Sequence, residues 1–162
     1  MYYFAYGSNM SVSRLRARVP SAEPFGCYIL KEHDLRFHKL SGDGSGKCDA
    51  YFTSNADDII YGALYKIDPR QKPVLDKAEA GYDEKEVTVY SGNDGSPIKA
   101  TIYIAAGENN DIQPYSWYLN HVLVGAEETV LPKDYITNKI KVVEAMEDKN
   151  KERDADEWSI HD

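Results

Sequence analysis

The sequence predicts an α+β fold: one domain built on an antiparallel, closed sheet with helices around it. Three observations predict it. Candidate strands mostly follow one another along the chain instead of alternating with helices. The segments EKEVTVY and PIKATIYIA flank Asn93-Asp94-Gly95-Ser96, a hairpin signal. Helical patterns fall early, in the middle and late, with no repeat or linker between them in 162 residues, a length that suits one domain with a real core.

The elements follow in order. Tyr2–Tyr6 reads as a strand and Gly7–Asn9 as a tight loop, after which Ser11 or Ser13 caps a short helix reaching Val19, where Pro20 stops it. Cys27–Leu30 and Leu35–Leu40 read as strands paired around Glu32–Asp34, and SGDGSGK (41–47) as a flexible loop. Asp49–Thr53 and Ile59–Ile67 are further strands; the second, IIYGALYKI, is apolar almost throughout and so central. Asp68-Pro69 opens a helical segment that becomes regular at Pro73, runs to about Glu79 and is closed by Gly81. Beyond the hairpin, Ser116–Ala126 puts Tyr118, Val122 and Gly125 on one helical face, and Lys133–Met146 aligns Ile136, Ile140 and Val143. The domain spans 1–147; DKNKERDADEWSIHD (148–162) is polar and acidic and reads as a flexible tail, with Trp158 as its one apolar anchor.

Composition narrows the function. Residues are 42% hydrophobic and 28% charged, a globular balance, and no apolar run is long enough for a membrane helix. The opening MYYFAYGSNM has neither the basic flank nor the cleavage pattern of a signal peptide. Cys27 and Cys48 have no metal-ligand or disulfide-framework spacing, which fits a reduced, cytoplasmic setting. The net charge is −8, and the most basic segment, SRLRARV, is too thin for a phosphate-backbone footprint, so nucleic acid is not an expected partner. That acidity is compatible with an amine-bearing substrate, although solubility alone accounts for most acidic chains. The 13 tyrosines, against 4 phenylalanines, fit either strand propensity or a pocket with apolar walls and polar tips.

Two features carry candidate chemistry. A glycine turn that leads into a helix presents successive N–H groups to an anion, yet YGSNM is neither GxGxxG nor a P-loop. It is either a plain structural turn or a nest the size of a carboxylate. No base is spaced to activate Ser8, and His33, His38, His121 and His161 form no metal motif, so neither a metal nor an organic cofactor is expected. A glutamate is ordinarily a solvated surface group, but Glu79 falls at a helix C-terminus. There the helix dipole disfavours the carboxylate form, and enclosure by Leu75, Ala78 and Tyr82 would raise its pKa further.

Together, YFAYGSN, LDKAEAGY and WYLNHVLVGAEETVLPKDY resemble the γ-glutamylcyclotransferase-like (AIG2-like) family, in order and over roughly residues 2–143. The resemblance implies a small antiparallel (mixed) β-barrel flanked by helices. It implies that Tyr3, Phe4, Ala5, Tyr6, Gly7 and Ser8 form the substrate-binding loop with Asn9 supporting it, that Glu79 is the catalytic acid/base, and that Tyr118 lines the pocket. The implied partner is a small γ-glutamyl amide, cyclised by its own α-amine to 5-oxoproline and a free amine or amino acid. Here Glu79 and Tyr82 are separated by only Ala80-Gly81, a shorter link than the family often carries, on the leaving-group side. A non-catalytic carboxylate-binding module and a cyclotransferase that tailors a specialised γ-glutamylated amine are the alternatives. Oligomeric state is not legible.

Overall fold

The computed structural model of the chain describes residues 1–106 and 110–162. Among these, the strands are β1 (Tyr2–Ala5), β2 (Glu23–Lys31), β3 (His33–Leu40), β4 (Gly46–Phe52), β5 (Ile59–Lys66), β6 (Tyr82–Ser91) and β7 (Pro97–Ala105). The helices are α1 (Val12–Arg18), α2 (Lys72–Ala78), α3 (Ser116–Glu128), α4 (Lys133–Tyr135, continued by a π-helical turn over Ile136–Lys141) and α5 (Lys151–Trp158).

Five strands close into a barrel in the order β1-β5-β2-β6-β7, and a parallel contact between Tyr3 of β1 and Thr101 of β7 completes the ring. The other neighbours are antiparallel, so the barrel is mixed. Closure removes the unpaired edges that an open sheet of this size would expose. β5 pairs on both sides, with β1 and with β2, as its apolar run predicts. The 93–96 turn joins β6 to β7 in continuous register from Tyr82↔Ala105 to Tyr90↔Pro97. Phe4, Leu30, Ile60, Leu64, Val89 and Ile102 fill the interior, all essentially inaccessible to solvent.

Three expectations are corrected. β2 and β3 do not pair: both edges of β2 are occupied, by β5 and β6, so β3 has no edge to join. Glu32, at φ +63°, turns the chain out of the barrel, and β3 pairs with β4 as a separate two-stranded sheet. A buried His38–Asp49 pair (2.6 Å) stiffens that sheet, and the second Asp49 oxygen accepts from Ala105 N–H (2.8 Å), tying it to the barrel. The last body helix stops at Lys141; Ile136 and Ile140 are buried as expected, but Val143 lies beyond it. The backbone of Met146 pairs with the chain around Tyr115, and that extended pairing replaces further helix.

The third correction is the tail. Residues 151–158 form α5, capped by the Asn150 side chain, which accepts from Arg153 N–H at 3.0 Å. Asp148 is fully buried and accepts from Trp117 Nε1 (2.9 Å) and Arg153 Nε (2.6 Å). Trp158 is exposed, so charge rather than an apolar anchor fastens this segment. Its carboxylates meet buried donors on the body of the domain, Asp148 the Trp117 indole and Glu157 the Arg14 guanidinium, a complementarity that exists only once the chain is folded.

Candidate active site

The opening loop, the C-terminal end of α2, the first residue of β6, α3, the β3–β4 connection and α5 surround a cavity of about 300 Å³. The loop is built from β1 outwards. Ser11 caps α1 by accepting from Arg14 N–H (3.3 Å). Met10 N–H donates to Gly7 O and Ser11 N–H to Ser8 O, closing a single 3-10 turn over Ser8–Met10. That turn leaves the N–H groups of Gly7 and Ser8 with no protein acceptor among the described residues, and both residues line the cavity. Gly7 has a negative φ (−118°), outside the left-handed region. It is glycine because a Cβ there would lie 2.9 Å from Cys48 Cβ.

Glu79 arrives from the other side. It is the C-terminal cap of α2, its N–H donating to Leu75 O at 2.9 Å, and Gly81 at φ +92° turns the chain into β6. Its Oε1 accepts from Asn9 Nδ2 at 2.6 Å, and the same amide nitrogen donates to the Tyr3 hydroxyl at 3.1 Å. The buried Asn9 thus joins loop and carboxylate directly.

Three carboxylates line the cavity, and their surroundings set them apart. Burial raises the pKa of Glu79, and the nearby Arg18 and Arg14 and the Asn9 hydrogen bond only partly oppose it. Asp43 is half-buried, yet hydrogen bonds from Ser45 and the charge of Lys47 hold it below the usual range. Glu157 is likewise held down, against its burial, by His121 and Arg14. A carboxyl displaced upward beside two displaced downward is the pattern expected of a proton carrier among structural ion pairs.

The tyrosines hold shape. Burial pushes the Tyr3, Tyr6, Tyr82 and Tyr118 hydroxyls well above their ordinary value, so they stay neutral. Tyr6 donates to Tyr103 O (2.5 Å), Tyr82 donates to Cys48 O (2.7 Å), and Tyr118 accepts from Cys48 N–H (2.9 Å). The Cys48 thiol is pushed up to about 12 by burial and is therefore no nucleophile. Tyr118→Phe removes the acceptor for a buried N–H, which costs about 1–3 kcal/mol. A thermal melt of that variant is expected to fall by several degrees, and an unchanged midpoint would show that Cys48 finds another partner.

Of the residues expected to bind substrate, Tyr3, Tyr6, Gly7, Ser8, Asn9 and Tyr118 line the cavity with Glu79. Phe4 and Ala5 do not. They are buried in the barrel opposite Leu64 and Ala63, where they support the loop from behind. Sequence reasoning missed the basic lining: Arg14, Arg18, Lys39, Lys47 and Arg153 outnumber the three carboxylates. A cluster of positive charge in a chain of net charge −8 focuses anions, so chain-wide acidity is no guide to the ligand. The i, i+4 spacing of Arg14 and Arg18 on one short helix was the available signal. No group of His, Cys, Asp and Glu among the described residues has a metal-holding arrangement, and no helix among them is long and apolar enough to cross a membrane.

A closed barrel with one upward-shifted carboxylate in a small, cation-lined cavity fits an enzyme acting on a small molecule. Residues 59–138 match the model of the AIG2-like family. The chain is 31% identical to the γ-glutamylcyclotransferase of Bos taurus over 157 residues, covering 92% of this chain and 81% of that one. It is 28% identical to the Homo sapiens γ-glutamylcyclotransferase, covering 88% and 78%. A solved structure described as a γ-glutamyl cyclotransferase superposes with a TM-score of 0.84 at 27% identity, covering 98% of this chain and 97% of that one. The chain belongs to the γ-glutamylcyclotransferase-like (AIG2-like) family of enzymes.

Proposed function

We propose that the chain is a γ-glutamyl cyclotransferase that releases 5-oxoproline and a free amine or amino acid from a γ-glutamyl amide. The observation that carries this reading is the 2.6 Å hydrogen bond placing the Glu79 carboxylate against Asn9, in the cavity lined by Gly7 and Ser8, whose amides have no protein acceptor among the described residues. The α-carboxylate of the substrate sits on those amides, with the basic lining favouring its approach. The chain of the γ-glutamyl group folds back until its α-nitrogen faces its own γ-carbonyl. Orientation of this kind is worth about 7–11 kcal/mol relative to a bimolecular reaction.

At neutral pH the α-amine is mostly ammonium and cannot attack. Glu79 takes its proton, the nitrogen lone pair forms the new C–N bond, and a five-membered lactam closes. The old amide C–N bond breaks as Glu79 returns that proton to the departing nitrogen, and the second proton shed by the attacking nitrogen as it becomes the lactam N–H is taken up by the freed amine, which leaves as its ammonium. A carboxyl with a raised pKa suits both transfers near pH 7. The names of the Bos taurus and Homo sapiens relatives support the reaction class, and the cavity volume suits a substrate of dipeptide size.

The test is 5-oxoproline release by the purified chain across γ-glutamyl amino acids, γ-glutamyl amines and glutathione. Product from at least one class is expected. Binding of 5-oxoproline with no product from any of them would leave a carboxylate-binding module instead.

A further inference from the structure

The C-terminal helix contributes a side chain to the cavity. Glu157, on the last turn of α5, lines it together with Arg14 and Ser8, 143 and 149 residues earlier in the chain. Its Oε2 accepts from Arg14 Nη1 at 2.8 Å and lies 2.8 Å from Nε2 of the fully buried His121. Arg14 in turn donates from Nε to Ser8 Oγ at 3.1 Å. His121 Nδ1 lies 2.7 Å from His161 Nε2, which continues the chain of contacts to the C-terminal turn.

The direction of each bond follows from what each group can do. Arginine only donates, so Ser8 Oγ must accept from it. The carboxylate of Glu157 only accepts, so His121 carries its proton on Nε2; burial keeps this ring neutral, and Nδ1 then accepts from His161. At Ser8 the hydroxyl proton is left to donate, on a residue that lines the cavity beside the remaining N–H groups of the Arg14 fork.

We propose that Glu157 is a positioning residue: by fixing the Arg14 fork it obliges Ser8 to present its hydroxyl proton to the substrate carboxylate held on the opening loop. This rests on the cyclotransferase reading only in taking that ligand to be a γ-glutamyl or 5-oxoproline carboxylate. A plain electrostatic role makes the opposite prediction. Removing the negative charge of Glu157 leaves Arg14 less compensated and would tighten binding of an anion, whereas loss of positioning weakens it.

The experiment is a calorimetric Kd for 5-oxoproline with the wild-type chain, Ser8→Ala, Glu157→Gln and the double variant, alongside turnover of a γ-glutamyl dipeptide. Ser8→Ala is expected to weaken binding about tenfold or more, the usual effect of losing a hydrogen bond to a charged group. Glu157→Gln keeps an acceptor oxygen but loses the charge that holds Arg14 in place, and should weaken it several-fold and raise KM, with kcat changed less than about threefold. The double variant should bind no more weakly than Ser8→Ala, because both changes remove one donor. Tighter or unchanged binding by Glu157→Gln, or effects that multiply in the double variant, would overturn the proposal. If Glu157→Gln does not fold, Arg14→Lys replaces the fork by a single ammonium and should give the same weakening without further loss in combination with Ser8→Ala. No turnover by a wild-type chain that shows the coupled binding would sink the cyclotransferase reading and leave the positioning role standing. No 5-oxoproline binding by the wild-type chain would overturn both.

Discussion

Glu79→Gln is expected to lower 5-oxoproline release by about 10²–10⁴-fold while 5-oxoproline binding stays within a few-fold of wild type. The amide keeps the shape and can still accept from Asn9 Nδ2, so the loop stays in place. What it cannot do is take the ammonium proton. The wild-type pH profile should carry the same signature. Activity requires the carboxylate form, so kcat/KM falls as pH drops through the Glu79 pKa, and burial sets that acid limb above the ordinary carboxylate range. Stability has the opposite dependence. A folded-state pKa above the unfolded one means that the stabilisation is present at low pH and lost as pH rises through the folded value. At neutral pH the native carboxylate is therefore a burden on the fold, and Glu79→Gln should melt slightly higher than wild type as it loses activity. A variant that cyclised substrate at the wild-type rate would remove Glu79 from the mechanism.

Gly125→Ala is expected to be strongly disruptive for the addition of a single methyl. Gly125 lies on α3, and a Cβ there would stand 2.4 Å from Ser11 N and 2.5 Å from Met10 C. Those atoms are backbone, at the junction of the substrate loop and the Ser11 cap, so no rotamer change relieves the clash. Overpacking a close-packed site costs about 1–3 kcal/mol and sometimes more, which in a chain of this length lowers Tm by roughly 2–4 °C per kcal/mol. Because the clash pushes directly on the loop, KM for a γ-glutamyl substrate should rise as well. A melt and a KM both indistinguishable from wild type would mean that α3 and the loop can separate freely.

How much of this the sequence showed differs from one element to the next. IIYGALYKI and the 93–96 turn carried their own signals, since a strand buried on both faces is apolar throughout and a hairpin turn needs particular residues. Ser11 as a cap, Gly81 as a stop and Glu79 at the end of α2 were legible for the same reason: each is a local backbone requirement. The pairing of β3 was not legible, because it depends on β5 and β6 already occupying both edges of β2. Nor was the C-terminal helix. Glu157 and Asp148 read as solvated charge until Arg14, His121 and Trp117 stand beside them. The site divides the same way. The loop and the glutamate were named as parts of one pocket through family likeness, while the cationic lining, drawn from α1, the β3–β4 segment and α5, had no contiguous motif to announce it.

The central claim is that the nitrogen attacking the γ-carbonyl belongs to the substrate itself. Turnover of a γ-glutamyl dipeptide in ¹⁸O-labelled water tests it most directly, with products read by mass spectrometry. Cyclisation predicts unlabelled 5-oxoproline and free amino acid in equal amounts. Glutamate carrying one solvent oxygen in its γ-carboxylate would mean that water is the nucleophile, and would contradict the account.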